Sequence, residues 1–277
     1  MSDVIDTNPD TGSQVLADEI DRSGIRRTFA VWRRHVLVWR KLLWPSMASN
    51  IANPVLILFA FGFGLGAVID QLEGVAYLAF VLPGMMAYSA MFSVSFESTI
   101  SAYARFQMQR TWDAVLATPV GLRELLLGEL LWSVTKGMIA TVSVLVVGWL
   151  WGGVISTPGA LLGLFAVLLG SFCFGACGLL ATAYAKSWEL FNYFFTFWVT
   201  PMFVFSGVFF EVDRFPDFIQ WAVWFFPMTH LIEVVRPLTL DQPLALGNVL
   251  LHIAYMVVMT VVAFELAYRK FARRLFD

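Results

Sequence analysis

His35, His230 and His252 are the only histidines in the chain, and none has a partner at the spacing of a zinc or nucleophile motif. A membrane-embedded enzyme would need several reactive groups to converge, so no catalytic residue and no metal ligand is expected. Cys173 and Cys177 lie four apart on one helical face, a spacing that suits a redox pair or half of a metal site. The segment from Ser171 to Gly178 holds no His or carboxylate, however, and small side chains that let helices approach closely are the plainer reading. Gly62, Gly64 and Gly66 imitate a dinucleotide loop in the middle of an apolar stretch, with no strand to precede them. Their spacing suits helix packing. Glu97 and Lys136 are a stronger pair, because each is a lone charge inside an apolar segment. Glu97 stands eight residues before Arg105, and Lys136 stands seven after Glu129 in a segment running the other way. At about 1.5 Å per residue both reach a similar depth, where an ion pair would offset the cost of burying either charge. Snorkelling by Lys136 alone is the other reading.

The elements that must carry these residues are long apolar segments, roughly 51–69, 76–101, 130–152, 159–185, 189–210 and 249–268. Each reaches or approaches the 20 or so residues that cross a bilayer core. Basic residues crowd alternate gaps: Arg22, Arg26, Arg27, Arg33, Arg34, Arg40 and Lys41 before the first segment, Arg105, Arg110 and Arg123 after the second, Lys186 after the fourth, and Arg269, Lys270, Arg273 and Arg274 after the sixth. By the positive-inside rule those gaps are cytoplasmic. The expected fold is therefore an all-α polytopic membrane protein of six transmembrane helices with both termini in the cytoplasm. A composition of 59% hydrophobic and 14% charged residues excludes an ordinary soluble domain. Residues 1–21 are acidic, lack the pattern of a signal peptide and are expected to be disordered, leaving 45–277 as the membrane domain.

Over 22–44, Ile25, Phe29, Trp32, Val36, Trp39 and Leu43 step by four and three, which lays an apolar stripe along a helix. Arg26, Arg33 and Arg40 repeat along its flank, so this helix is expected to lie in the membrane surface with its guanidinium groups against lipid headgroups. Between the second and third segments, Met108, Trp112, Val115 and Leu116 share a helical face that Pro119 ends. This is a short amphipathic knob, in a gap longer than a plain helix connection needs. Sixteen aromatic residues fall between Phe191 and Phe226, and the stretch 212–230, bracketed by Pro216 and Pro227, is expected to be re-entrant or interfacial. Aromatic platforms for sugar rings or an acyl chain are one reading, with Phe205, Phe209, Trp221 and Trp224 as the path. The ordinary aromatic belt of a membrane protein is the other.

Gln109-Arg-Thr-Trp-Asp-Ala-Val-Leu-Ala-Thr-Pro119, Leu127-Gly-Glu129, Pro201-Met-Phe-Val-Phe-Ser-Gly-Val-Phe-Phe210 and Pro227-Met-Thr-His-Leu-Ile-Glu-Val-Val-Arg-Pro237 resemble the permease subunits of type-2 ABC exporters. Phe96-Glu-Ser-Thr99 and Ala104-Arg-Phe-Gln-Met-Gln-Arg-Thr-Trp112 make the chain most similar to the branch that exports lipo-chitooligosaccharide nodulation factors. The resemblance covers nearly the whole chain. It implies that residues 105–118 form a coupling helix, with Arg105, Gln109, Arg110, Thr111, Trp112, Asp113 and Leu116 docking on a separate ATPase. The chain has no Gly-x-x-x-x-Gly-Lys-Ser/Thr phosphate loop, so no cofactor is expected here, and ATP and Mg belong to that partner. Two ATPase copies, a second permease copy (a homodimer by default), membrane lipid and an amphipathic glycan are the implied partners in a bacterial inner membrane, with no nucleic acid. Export of a drug or simple lipid is the alternative within the family. An ion-coupled transporter would call for carboxylates near the midplane and internal repeats, whereas the acids lie toward segment ends and no repeat is evident.

Overall fold

The computed structural model describes residues 9–42, 52, 55–69, 71–72, 74–210 and 212–276. Helix α1 (Pro9–Trp39), extended by a 3-10 turn at Arg40–Leu42, begins inside the stretch expected to lack structure. Residues 1–8 and Leu43 lie outside the described residues. α2 (Val55–Leu65) is a short apolar helix with a wide-turned end, followed by a two-stranded hairpin, β1 (Gln71–Leu72) and β2 (Val75–Ala76). α3 runs Tyr77–Met108, α4 Thr111–Leu116, α5 Leu122–Leu150 and α6 Thr157–Tyr184. The consecutive stretches Glu189–Phe194, Phe195–Val199 and Thr200–Phe205 run on as α7. After a left-handed turn at Gly207 (φ +86°) come a 3-10 turn at Val212–Arg214, α8 (Asp217–Val223), α9 (Pro227–Thr239) and α10 (Leu246–Phe276).

Four of these helices, α3, α5, α6 and α10, are long and apolar enough to cross a membrane, and a fifth crossing is counted if α8 and α9, bent by 90°, are one broken span. The expected first segment, 51–69, forms a continuous described helix over Val55–Leu65, and the expected fifth, 189–210, stops at Phe205. The first ends in a wide π turn, Ala60–Leu65, capped by Gly66, and the second gives way to the left-handed Gly207, both at glycines that lend a helix little side-chain support. The expected re-entrant stretch 212–230 also divides differently, since Pro227 starts α9 and takes residues 227–230 into it.

α3 is the axis of the fold, with 89% of its apolar window buried against other helices, whereas α10 has only 22% buried. One core cluster gathers Phe80, Met85 and Met86 of α3 with Phe174, Leu231 and Met256. A second holds Val31 of α1, Phe106, Trp112, Leu125, Cys173, Cys177 and Phe271. The two cysteines are free and buried within that packing. Two stretches of α3, Glu97–Ser101 and Ala104–Met108, have wide π turns. In a regular α-helix an eight-residue step overshoots two revolutions by about 80°. Wider turns take up more residues per revolution, so Glu97 and Arg105 come onto one face of α3.

α1 packs on α5 through Thr28, Val31 and His35, all buried. Val31 lies directly over Gly128, where any side chain on α5 would collide with it. The apolar stripe is therefore split: Trp32 turns inward and donates to Thr135 at 2.9 Å, while Ile25 (65% exposed) and Phe29 (55%) stay outside with Arg26, Arg33 and Arg40.

Candidate functional site

Where α3 ends and α5 begins, two carboxylates are buried almost completely. Glu129 is 1% exposed and Glu97 5%. An ionised carboxylate at such a position is tolerated only when paired and fully hydrogen-bonded. Arg105 supplies the pairing for both. Its Nη2 and Nε donate to Glu129 Oε2 at 2.6 and 3.0 Å, and its Nη1 donates to Glu97 Oε1 at 2.7 Å. The remaining lone pairs are taken by aromatic and imidazole N–H groups. Trp112 Nε1 and His35 Nε2 donate to Glu129 Oε1 at 3.0 and 3.1 Å, and Trp132 Nε1 donates to Glu97 Oε1 at 2.9 Å. Lys136 Nζ lies 3.5 Å from Glu97 Oε2, and Arg34 Nη2 lies 4.0 Å from Glu129. Donors from α1, α3, α4 and α5 thus meet at two acids. A guanidinium fork is the one side chain whose planar donors can hold two carboxylates at once.

Lys136 and Glu97 are brought together, but Arg105 is the tighter partner of Glu97. Lys136→Gln should therefore cost only about 1 kcal/mol, because Glu97 keeps its arginine. Glu97→Gln should cost about 2–3 kcal/mol, since Arg105 and Trp132 both lose a charged acceptor. The double swap of Glu97→Lys with Lys136→Glu should recover only part of the loss, because it sets the new lysine beside Arg105. Thermal midpoints of the purified protein measure this order, and equal losses for the two single changes would contradict it.

α4 hangs on this cluster. Arg110, just before it, adopts a left-handed backbone (φ 50°), a conformation costly for a residue with a side chain. The reversal cuts α4 off from α3, and Thr111 Oγ1 bridges back to the Arg105 carbonyl at 3.1 Å. Trp112 is fully buried, its ring against Phe106 and Phe271 at 5.1 and 5.0 Å. Leu116 is half-buried beside it. This corrects the sequence expectation on two points. Residues 105–108 belong to α3, and Trp112 faces inward as an anchor. The outward surface consists of Gln109, Arg110, Asp113, Ala114 and Ala117, with Arg110 and Asp113 3.6 Å apart.

The four aromatic residues expected to line a path are scattered in character. Phe209 is buried against Phe61 at 4.2 Å, Phe205 is half-buried against Phe215 at 5.6 Å, and Trp221 and Trp224 are 76% and 46% exposed. Among the described residues no ring contact joins these four to one another. Trp224 stacks on His252 instead. His252 in turn meets His230, Nδ1 to Nδ1 at 2.8 Å. His230 Nε2 donates to the Trp224 carbonyl at 2.9 Å, so its Nδ1 accepts and His252 Nδ1 donates. No motif spacing marks this pair, whose members lie 22 residues apart on different helices. No group of three metal-ligating side chains occurs among the described residues.

Residues 26–240 match the ABC-2 type transporter family. The chain belongs to that family. Its relatives include Nodulation protein J of Sinorhizobium fredii (strain NBRC 101917 / NGR234), 38% identical over 89% of this chain and 93% of the relative, and Nodulation protein J of Rhizobium leguminosarum bv. viciae, 37% identical over 89% and 94%. A more distant one is the Inner membrane transport permease YadH of Escherichia coli (strain K12), 21% identical over 75% and 80%. Within the ABC-2 family the chain is thus most like the Nodulation protein J branch. It is a multi-pass membrane protein and the membrane subunit of an ABC exporter, with the ATPase carried by a separate partner.

Proposed function

We propose that this permease moves an amphipathic glycan or glycolipid of the lipo-oligosaccharide type across a bacterial inner membrane, and that α4 is the helix through which the ATPase drives it. The observation that carries the coupling role is the anchoring of Trp112 on Glu129, which ties a short surface helix to both α3 and α5 through Arg105. Movement of α4 would be passed to two long helices without passing through a flexible loop. In this reading all six apolar segments cross, α2 and α7 with help from their neighbours, and both termini are cytoplasmic. Arg26, Arg33 and Arg40 then meet headgroups. Two permeases and two ATPase subunits make the transporter, a homodimer in its simplest form, with ATP and Mg on the ATPase. Glycolipid cargo is supported by the branch of relatives and by the exposed Trp221 and Trp224, which offer stacking faces to sugar rings.

The outward face of α4 gives a direct test. Arg110→Glu combined with Asp113→Lys leaves the anchor intact and inverts the docking charges. Affinity for the ATPase subunit in a pull-down should fall about tenfold while the amount of inserted permease is unchanged. Undiminished pull-down would remove α4 from the interface. Mass spectrometry of lipids retained by the co-purified complex decides the cargo. Enrichment of acylated oligosaccharides is expected, and enrichment of simple lipids alone would favour the drug or lipid exporter.

A further inference from the structure

Beside the buried carboxylates lies a cavity of about 440 Å³ whose walls come from α1, α3, α5 and the turn before α4. Arg34 and Trp39 line one side, Arg105 and Glu97 another, and Trp132 and Lys136 a third. The wall is rich in donors. The three cations exceed the two carboxylates, Glu97 and Glu129, by one charge, and the two outer cations are held loosely. Lys136 stops 3.5 Å from Glu97, and Arg34 stops 4.0 Å from Glu129. Glu97 adds little acceptor capacity, because Oε1 already accepts from Arg105 and Trp132 while Oε2 faces Lys136. The indole Nε1 of Trp39 is buried and finds no acceptor among the described residues. A buried N–H left in this way calls for an acceptor that the described residues do not provide.

We propose that this cavity is an anion site that takes a phosphate group, held between Arg34 and Lys136 with Trp39 Nε1 as a third donor. Three donors from two helices match a tetrahedral oxyanion, and partial desolvation of the cations strengthens the attraction. An occupant would bridge α1 to α5 and share Lys136 with Glu97, so it would fasten the surface helix to the cluster that anchors α4. The phosphate could belong to an anionic phospholipid or be free in solution. With the orientation proposed above, α1 lies at the cytoplasmic headgroups, which puts lipid phosphate within reach of Arg34 and Trp39.

The test uses the permease purified with its ATPase partner, supplied with dioleoylphosphatidylglycerol or dioleoylphosphatidylcholine and read by native mass spectrometry of the retained lipid. The wild-type complex should retain phosphatidylglycerol preferentially. Trp39→Phe, which keeps the ring and removes the N–H, should weaken retention about fivefold, and Arg34→Gln about tenfold. Arg273→Gln, on the exposed face of α10, should leave it unchanged. Release of phosphatidylglycerol by millimolar inorganic phosphate would assign the site to free phosphate, and persistence against it would assign the site to lipid. Equal retention by the wild type, Trp39→Phe and Arg34→Gln overturns the proposal. Because retention is read without transport, its failure leaves the export reading standing, and failed glycan export leaves this site standing.

Discussion

Replacing Arg105 by Gln is expected to lower stability by about 3–5 kcal/mol, the largest loss of any single change at the carboxylates. The reason is arithmetic at the two acids. Among the described residues Arg105 is the only cation within hydrogen-bond reach of both Glu97 and Glu129, and removing it leaves only Lys136, 3.5 Å from Glu97, and Arg34, 4.0 Å from Glu129, to balance two buried carboxylates. Lysine at 105 keeps the charge but has no planar fork, so it can serve one acid well and the other poorly. Fluorescence-detected size exclusion should show little monodisperse protein for Arg105→Gln and an intermediate amount for Arg105→Lys. The triple change of Arg105, Glu97 and Glu129 to Gln should recover more folded protein than Arg105→Gln alone, since it removes the stranded charges along with their partner. A wild-type profile for Arg105→Gln would mean that the acids are neutral or find other partners.

Trp112→Ala should cost about 3–5 kcal/mol, because it empties a fully buried ring site between Phe106 and Phe271. Trp112→Phe refills most of that space and loses chiefly the bond to Glu129, at about 1–2 kcal/mol. The phenylalanine variant separates anchoring from folding. It should insert and bind the ATPase, yet move less substrate per ATP hydrolysed, because α4 can shift without carrying α5 along. Unchanged transport per ATP in a well-folded Trp112→Phe protein would show that the indole bond does not transmit force.

The long helices were legible because each holds an uninterrupted apolar run, and α3, α5, α6 and α10 fall where 76–101, 130–152, 159–185 and 249–268 place them, with ends extended into polar sequence. The interrupted segments were less legible, since the wide turn that ends α2 at Gly66 and the left-handed Gly207 beyond α7 have no signature beyond their glycines. At the site, Glu97 and Lys136 stood out as lone charges in apolar sequence. Arg105 and Glu129 did not, because they sit at segment ends where charges are ordinary, and only the wide turns of α3 set Arg105 beneath Glu97. The helical period places Met108 and Trp112 on one face. The left-handed Arg110 breaks that period, leaving Met108 67% exposed and Trp112 buried.

The distribution of charge between α3 and α5 bears on how the chain is made. α3 leaves the ribosome first, and its buried acid, Glu97, already has a base on the same face of the same helix in Arg105. α5 follows with its own acid and base, Glu129 and Lys136, seven residues apart. Each hairpin arm therefore enters the lipid electrically balanced, and neither has to wait for the other. In the folded chain Arg105 keeps Glu97 and also grips Glu129, while Lys136 turns to Glu97, so the contacts that clasp the two arms need both arms in place. An α3 or α5 out of register would keep its own counter-charge and leave the partner helix unclasped, so the same four side chains that balance each arm also report whether the two arms are aligned.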